Sequence, residues 1–279
     1  MNKKILATLA TGFLLVSCRS LVTEDRIQCP RFLFFNISNS DKFNSYDPPY
    51  VTVYSHPEGK FLERDTTTVG AINNNEFYFS IKGELAVKGY GMLGYKNSHI
   101  ENDSDWIIPL GSDSDPLFRF DYTAATQEES FTVPVELVKE YCHVRLQFVN
   151  FETFESADGH FPFDIRISGN TCGIEALSGT PIRGRFECWP EEGMIGQYEF
   201  TLPRQADRTL RMELTGKAGV YDAPDVLLPF DLWSILHEKG GVTWEEKNLP
   251  DANLIINYQE KDISVSIVEW SRKNLDYNF

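Results

Sequence analysis

An all-β chain built from antiparallel β-sandwiches is what this sequence predicts, on three observations. Apolar and polar residues alternate at period two along several short runs. Aromatic residues make up 13% of the 279-residue chain. Clusters of Gly, Asn, Asp, Ser and Pro separate the runs. Period-two alternation buries one face of an antiparallel sheet, and the cheapest partner for that face is a second sheet.

The elements follow in order. Arg31 to Ser38, Tyr50 to His56 and Phe77 to Met92 are rich in aromatic and β-branched residues, and Asn73-Asn74-Asn75 reads as a turn before the third. Trp106 to Leu110 and Phe118 to Tyr122 are strands split by Gly111-Ser112-Asp113-Ser114-Asp115-Pro116. The polar stretch Thr123 to Ser130 is the expected domain boundary, giving an N-terminal domain over 30–127 and a C-terminal one over 128–279. In the second half Val144, Leu146 and Phe148 share one face, with His143, Arg145 and Gln147 opposite. The same pattern recurs at Phe163/Ile165/Ile167, Tyr198/Phe200/Leu202, Leu210/Met212/Leu214, Leu254/Ile256/Tyr258 and Ile263/Val265/Ile267. One short helix interrupts it. Asp231 caps a turn carrying Leu232, Ile235 and Leu236, and Gly240-Gly241 ends it.

Residues 1–17 have the character of an export signal. Lys3 and Lys4 precede a mostly apolar run from Ile5 to Val16, too short for a spanning helix of roughly 20 residues. Leu15-Val16-Ser17-Cys18 matches a lipobox, which makes Cys18 the expected site of lipid attachment and 18–29 a lipidated tether. Each buried acyl methylene contributes about 0.8 kcal/mol, and stable anchoring takes at least two chains; a processed lipoprotein cysteine carries three, palmitate-like chains among them. Arg19, not Asp, follows the cysteine, so the outer membrane, with exposure at the surface, is the expected destination.

The net charge of −15 becomes −17 once Lys3 and Lys4 leave with the signal. That argues against nucleic acid and anionic lipid as partners. Cys29, Cys142, Cys172 and Cys188 remain, an even number on an oxidising route. Three pairings are possible. The short loop between Cys172 and Cys188, on neighbouring strands, favours that bridge, with Cys29 to Cys142 as the second.

Catalytic motifs are missing. His56, His99, His143, His160 and His237 are scattered, and no G-x-S-x-G, H-E-x-x-H or phosphate-cradling loop occurs. Asp103-Ser104-Asp105 and Asp113-Ser114-Asp115 lack the glycine and distant glutamate of a calcium loop and read as solvated hairpin loops. Neither an enzyme, a metal nor a cofactor is expected. Asp65-Thr66-Thr67 matches a short acceptor motif for protein O-glycosylation at Thr66. Trp189 and Trp244, in turn-rich surroundings, are candidate sugar-stacking residues; Trp270 reads as a core residue closing the last strand.

The order of features resembles a known family. Cys18 is followed by Cys29-Pro30, then by Phe131-Thr-Val-Pro-Val-Glu-Leu and His143-Val-Arg-Leu-Gln-Phe. Pro229-Phe-Asp-Leu-Trp, Trp244, Leu249-Pro-Asp and Ile263-Ser-Val-Ser-Ile-Val-Glu-Trp270 complete the series. This is similar to the fimbrillin-associated anchor lipoproteins of Bacteroidales, over most of the mature chain. The resemblance implies two tandem transthyretin-like sandwiches, a fimbrial stalk subunit (fimbrillin) as partner, and assembly by β-strand addition. A surface glycan-binding lipoprotein built from sandwiches is the alternative expectation.

Overall fold

The computed structural model describes residues 29–39, 49–150, 161–217 and 229–257, and the backbone of 262–268. Cys18, the signal, the tether before residue 29, His160 and Trp270 lie outside the described residues.

The first sandwich uses β1 (Arg31–Ile37), β2 (Tyr50–Ser55), β3 (Phe61–Thr66), the one-turn helix α1 (Val69–Asn73), β4 (Phe79–Ile81) and β5 (Ala86–Leu93). A hairpin, β6 (His99–Glu101) and β7 (Asp105–Ile107), comes next, then β8 (Phe118–Ala125), β9 (Ser130–Val135) and β10 (Val138–Lys139). One sheet has the order β4-β1-β9 and the other β10-β8-β5-β2-β3. Their inner faces enclose Leu33, Phe35, Phe79, Phe120 and Tyr122, all buried. Gly91, on the strand beside Phe120, is required by close approach, because a Cβ there would lie 2.1 Å from the Phe120 ring.

The second sandwich uses β11 (Tyr141–Val149), β12 (Phe163–Glu175), β13 (Thr180–Cys188), β14 (Gln197–Pro203) and β15 (Arg211–Gly216). Then come β16 (Pro229–Phe230), α2 (Leu232–Ser234, continued as a π-turn over Ile235–Lys239), β17 (Asp251–Asn257) and β18 (Asp262–Val268). Sheet β14-β11-β17-β18 faces sheet β16-β15-β12-β7-β6, with β13 also paired to β12. The alternation in β11 has its expected outcome: Val144, Leu146 and Phe148 are buried in the larger core. The Asp231 carboxylate accepts the Ser234 N–H at 3.1 Å, as a cap should.

Several expectations need correction. The run from Phe77 to Met92 is two strands, broken where Gly83 turns with φ +76°. Asn73 to Asn75 is a turn, as read, but it closes the unexpected helix α1, capped by Thr68. The sheets are not wholly antiparallel. β1 pairs with β9, and β11 with β17, in parallel, because the chain crosses to the opposite sheet between the two members of each pair.

The boundary at 127/128 is also displaced. β9 lies beyond it yet pairs with β1 from Phe32↔Ser130 to Ile37↔Val135, and β10 pairs with β8. The chain therefore leaves the first sandwich between Lys139 and Tyr141. In the other direction, β7 adds to β12 at Gly173↔Ile107 and so extends a sheet of the second sandwich. A third apolar cluster, with Tyr54, Tyr90, Met92, Trp106 and Ile174, fills the space between the sandwiches.

Candidate functional site

The parallel β1/β9 pair gives the molecule a direction. Ile37 and Val135 lie where β9 feeds β10 and β11, so Arg31 and Cys29 lie at the opposite end of the first sandwich. β11 starts beside the first sandwich at Tyr141 and runs away from it, so the turn before Gln197, opposite Gln147, marks the far end of the second. The molecule thus has an N-terminal end, a junction and a free end.

The junction is closed by buried charge. Glu140, 4% exposed, accepts from Arg119 Nε at 3.0 Å and from Arg204 Nε at 2.6 Å. Arg119 also donates to Asp121 and to the carbonyl of Ala176, and Arg204 to the carbonyls of Trp244 and Glu246. Lys139, fully buried, donates to Asp251 at 2.5 Å and to the Leu249 carbonyl, over the ring of Tyr141. Burial pulls the Lys139 pKa below its ordinary value, against the pull of Asp251. Unpaired, these charges could not persist so deep; each has its partner. The hairpin tip completes the closure, for Tyr90 and Tyr54 both donate to the carbonyl of Asp103. An open cleft of about 640 Å³ remains beside Arg204, Arg183, Trp244 and Glu246.

A second cleft of about 370 Å³ is lined by Asp113, Asp115, His143 and Glu199. The Asp115 carboxylate accepts the N–H groups of Lys96, Asn97 and Ser98, and Asp113 accepts from Thr201. The expected solvated loop is here a buried staple, and burial raises the Asp113 pKa. Burial likewise lowers that of His143. Asp103 behaves as read, in an exposed hairpin where Asn102 and Asp103 both have positive φ. Among the described residues no cluster of His, Cys, Asp and Glu is arranged to hold a metal ion.

The cysteines do not meet as expected. Cys29, Cys142, Cys172 and Cys188 are all free thiols. Cys188 stands opposite Ile167, while Cys172 lies between the pairs Thr171↔Arg183 and Gly173↔Ile182. Five residues of strand separate the two positions, roughly 16 Å, whereas a disulfide needs Cα atoms within about 7 Å. The position of the turn, between Glu175 and Thr180, keeps them apart, and the two irregularities in the hairpin register cancel before Cys188. Cys29 is exposed in the first sandwich and Cys142 fully buried in the second, so that bridge is not formed either. Burial pushes the thiols of Cys142 and Cys188 up to about 12, which leaves them unreactive.

The two tryptophans separate. Trp244 is 3% exposed and belongs to the core, so it cannot be a stacking platform. Trp189 is 51% exposed beside Gly111 and Leu110. Thr66 is exposed at the end of edge strand β3, where Asp65 accepts its N–H. Sequence reasoning missed Glu140, Arg119 and Arg204, and also the apolar turn at Met194 and Ile195, 67% and 57% exposed.

No family model matches the chain, and no curated protein does. Solved structures do. The fold is shared with fimbrial proteins and candidate adhesins of Bacteroidales, as the sequence resemblance implies. The fimbrial anchor protein Mfa2 of Porphyromonas gingivalis superposes with a TM-score of 0.59 at 12% identity, over 87% of this chain and 98% of that one. A candidate polysaccharide-binding protein of Bacteroides thetaiotaomicron gives 0.61 at 12% identity, over 87% and 97%. A candidate adhesin from the same organism gives 0.57 at 13%, over 87% and 99%.

Proposed function

We propose that this protein is a non-enzymatic outer-membrane lipoprotein, held by acyl chains on Cys18, that anchors or forms a minor subunit of a cell-surface fimbria. The observation that carries the reading is the direction of the fold. The described chain begins at the end of the first sandwich remote from the second. A lipid ahead of it would hold that end at the membrane and leave the second sandwich to meet a stalk subunit. The likeness to an anchor protein supports the same assignment. Among the described residues β3 and β9 are sheet edges, where an extended segment of another subunit can add main-chain hydrogen bonds. Pro134 in β9 removes one donor from that edge, a feature that limits unwanted pairing.

Outer membranes extracted in detergent test this directly. On a non-reduced denaturing gel, an unboiled sample should show a ladder containing this protein that collapses on boiling. A single monomer-sized band in both lanes would overturn it. Cys18→Ala should release the protein under alkaline washing. Thr66→Ala should lower the mass of the native protein by one glycan, and an unchanged difference from the sequence mass would remove the glycosylation assignment.

A glycan-binding surface protein is the second reading, favoured by exposed Trp189 and by the likeness to a candidate polysaccharide-binding protein. Trp189→Ala, compared with wild type on a glycan array, decides it.

A further inference from the structure

The turn between β13 and β14 places two large apolar side chains in water and holds them there. Met194 and Ile195 are 67% and 57% exposed, at a position where turns carry polar residues. The turn is stiff. Gln197 donates its N–H to the Met194 carbonyl at 2.7 Å, and Gly196, at φ +70°, takes the third position, where only a residue tolerant of positive φ fits. The Glu192 carboxylate accepts the N–H of Gly196 at 2.8 Å and that of Phe161 at 2.9 Å, and Lys217 Nζ lies 3.2 Å from its other oxygen. Burial alone would raise the Glu192 pKa; these donors hold it below the ordinary carboxylate value. The Phe148 N–H closes the ring of contacts on the Gly196 carbonyl.

An exposed apolar pair on a mobile loop would lose its freedom on binding; here that entropy has been spent in folding. Rigid, desolvatable anchors of this kind concentrate binding energy in protein interfaces. The geometry points to Met194 and Ile195 as a docking knob that seats in an apolar pocket of a protein partner, the neighbouring subunit of the surface fibre. This assignment rests on the fimbrial reading above. Two facts choose protein over membrane. The knob is at the free end, away from the end at which the described chain begins. Acidic Glu191 and Glu192 flank it in a chain of net charge −15, which disfavours an anionic lipid surface.

The test uses the full-length lipoprotein in its own outer membrane. The double variant Met194→Glu/Ile195→Glu should reduce the boiling-sensitive ladder at least tenfold, with the amount of protein and its melting temperature unchanged. A full ladder in that variant overturns the knob and leaves the fimbrial reading standing. Independently, a photo-crosslinking phenylalanine derivative at position 195 should yield one discrete adduct with a different exported β-rich protein. The same probe at exposed Glu63, on the edge of the first sandwich, should not give that adduct. If wild type forms no ladder, the fimbrial reading falls, and the crosslink decides the knob alone. Adducts with lipid only, with a second copy only, or with nothing overturn it.

Discussion

The junction between the two sandwiches and the free end of the second treat surface in opposite ways. At the junction three charged side chains, Glu140, Arg119 and Arg204, are drawn out of water and satisfied by one another and by carbonyls. At the free end charge does the reverse job. Glu192 is spent on fixing a backbone turn so that Met194 and Ile195 stay in water. A protein whose only task were to be stable would bury the second pair and do without the first network. The contrast teaches that internal closure and external availability are separate designs here, joined by rigid strands.

Breaking the junction should have the largest effect. Trp106 is 1% exposed at the centre of the cluster between the sandwiches, and its replacement by Ala should cost about 3–5 kcal/mol in a denaturant titration. Glu140→Ala should cost about 3 kcal/mol, because it strands two guanidinium groups. It should also split a single unfolding transition into two, since it separates the sandwiches without emptying either core. A single, equally cooperative transition in that variant would mean that the apolar cluster alone couples the two halves.

How much of this could be read beforehand follows the same division. β11, β14 and β15 were legible because each has one wet and one dry face, and the alternation of Val144, Leu146 and Phe148 states it directly. β3 was not legible. Its residues Glu63, Arg64 and Asp65 are those of a solvated edge, where no face is fully buried. β9 falls on the wrong side of a boundary placed in polar Thr123 to Ser130, since pairing with β1 about 100 residues away leaves no local trace. Trp244 looked exposed because its neighbours are turn formers, but its ring covers the larger core. Glu140, Arg119 and Arg204 could not have been grouped at all, because charged residues far apart in sequence are ordinarily solvated one by one.

A smaller effect is set by pH at the second cleft, which His143 and Asp113 both line. His143 is partly buried beside the junction, and that burial lowers its pKa below the ordinary 6.5. The unfolded chain therefore takes up a proton at this site before the folded one does, so stability must fall as pH drops below about 6.5. The fall should level off only once folded His143 itself protonates. Asp113 opposes it at lower pH, because its raised pKa favours the folded state below the ordinary carboxylate range and that contribution fades as pH rises through the raised value. In His143→Asn the decline just below pH 6.5 should flatten, as read from melting temperature against pH. An unchanged slope would assign the acid sensitivity to other groups.

The smallest effect sharpens the comparison most. Met194→Ser and Ile195→Ser remove apolar surface that stays mostly in water after folding, so each should leave stability within about 0.5 kcal/mol of wild type. Glu192→Gln should cost more, about 1–3 kcal/mol, since a neutral amide meets the N–H groups of Gly196 and Phe161 and the ammonium of Lys217 less well. The order of these variants matters more than their sizes. If the serine variants were the more destabilising, Met194 and Ile195 would be structural, and the turn would hold the protein together, not a partner. If Glu192→Gln is the more costly and also raises amide hydrogen exchange at Gly196, then folding energy at this end is invested in presenting two side chains from which the fold itself gains nothing.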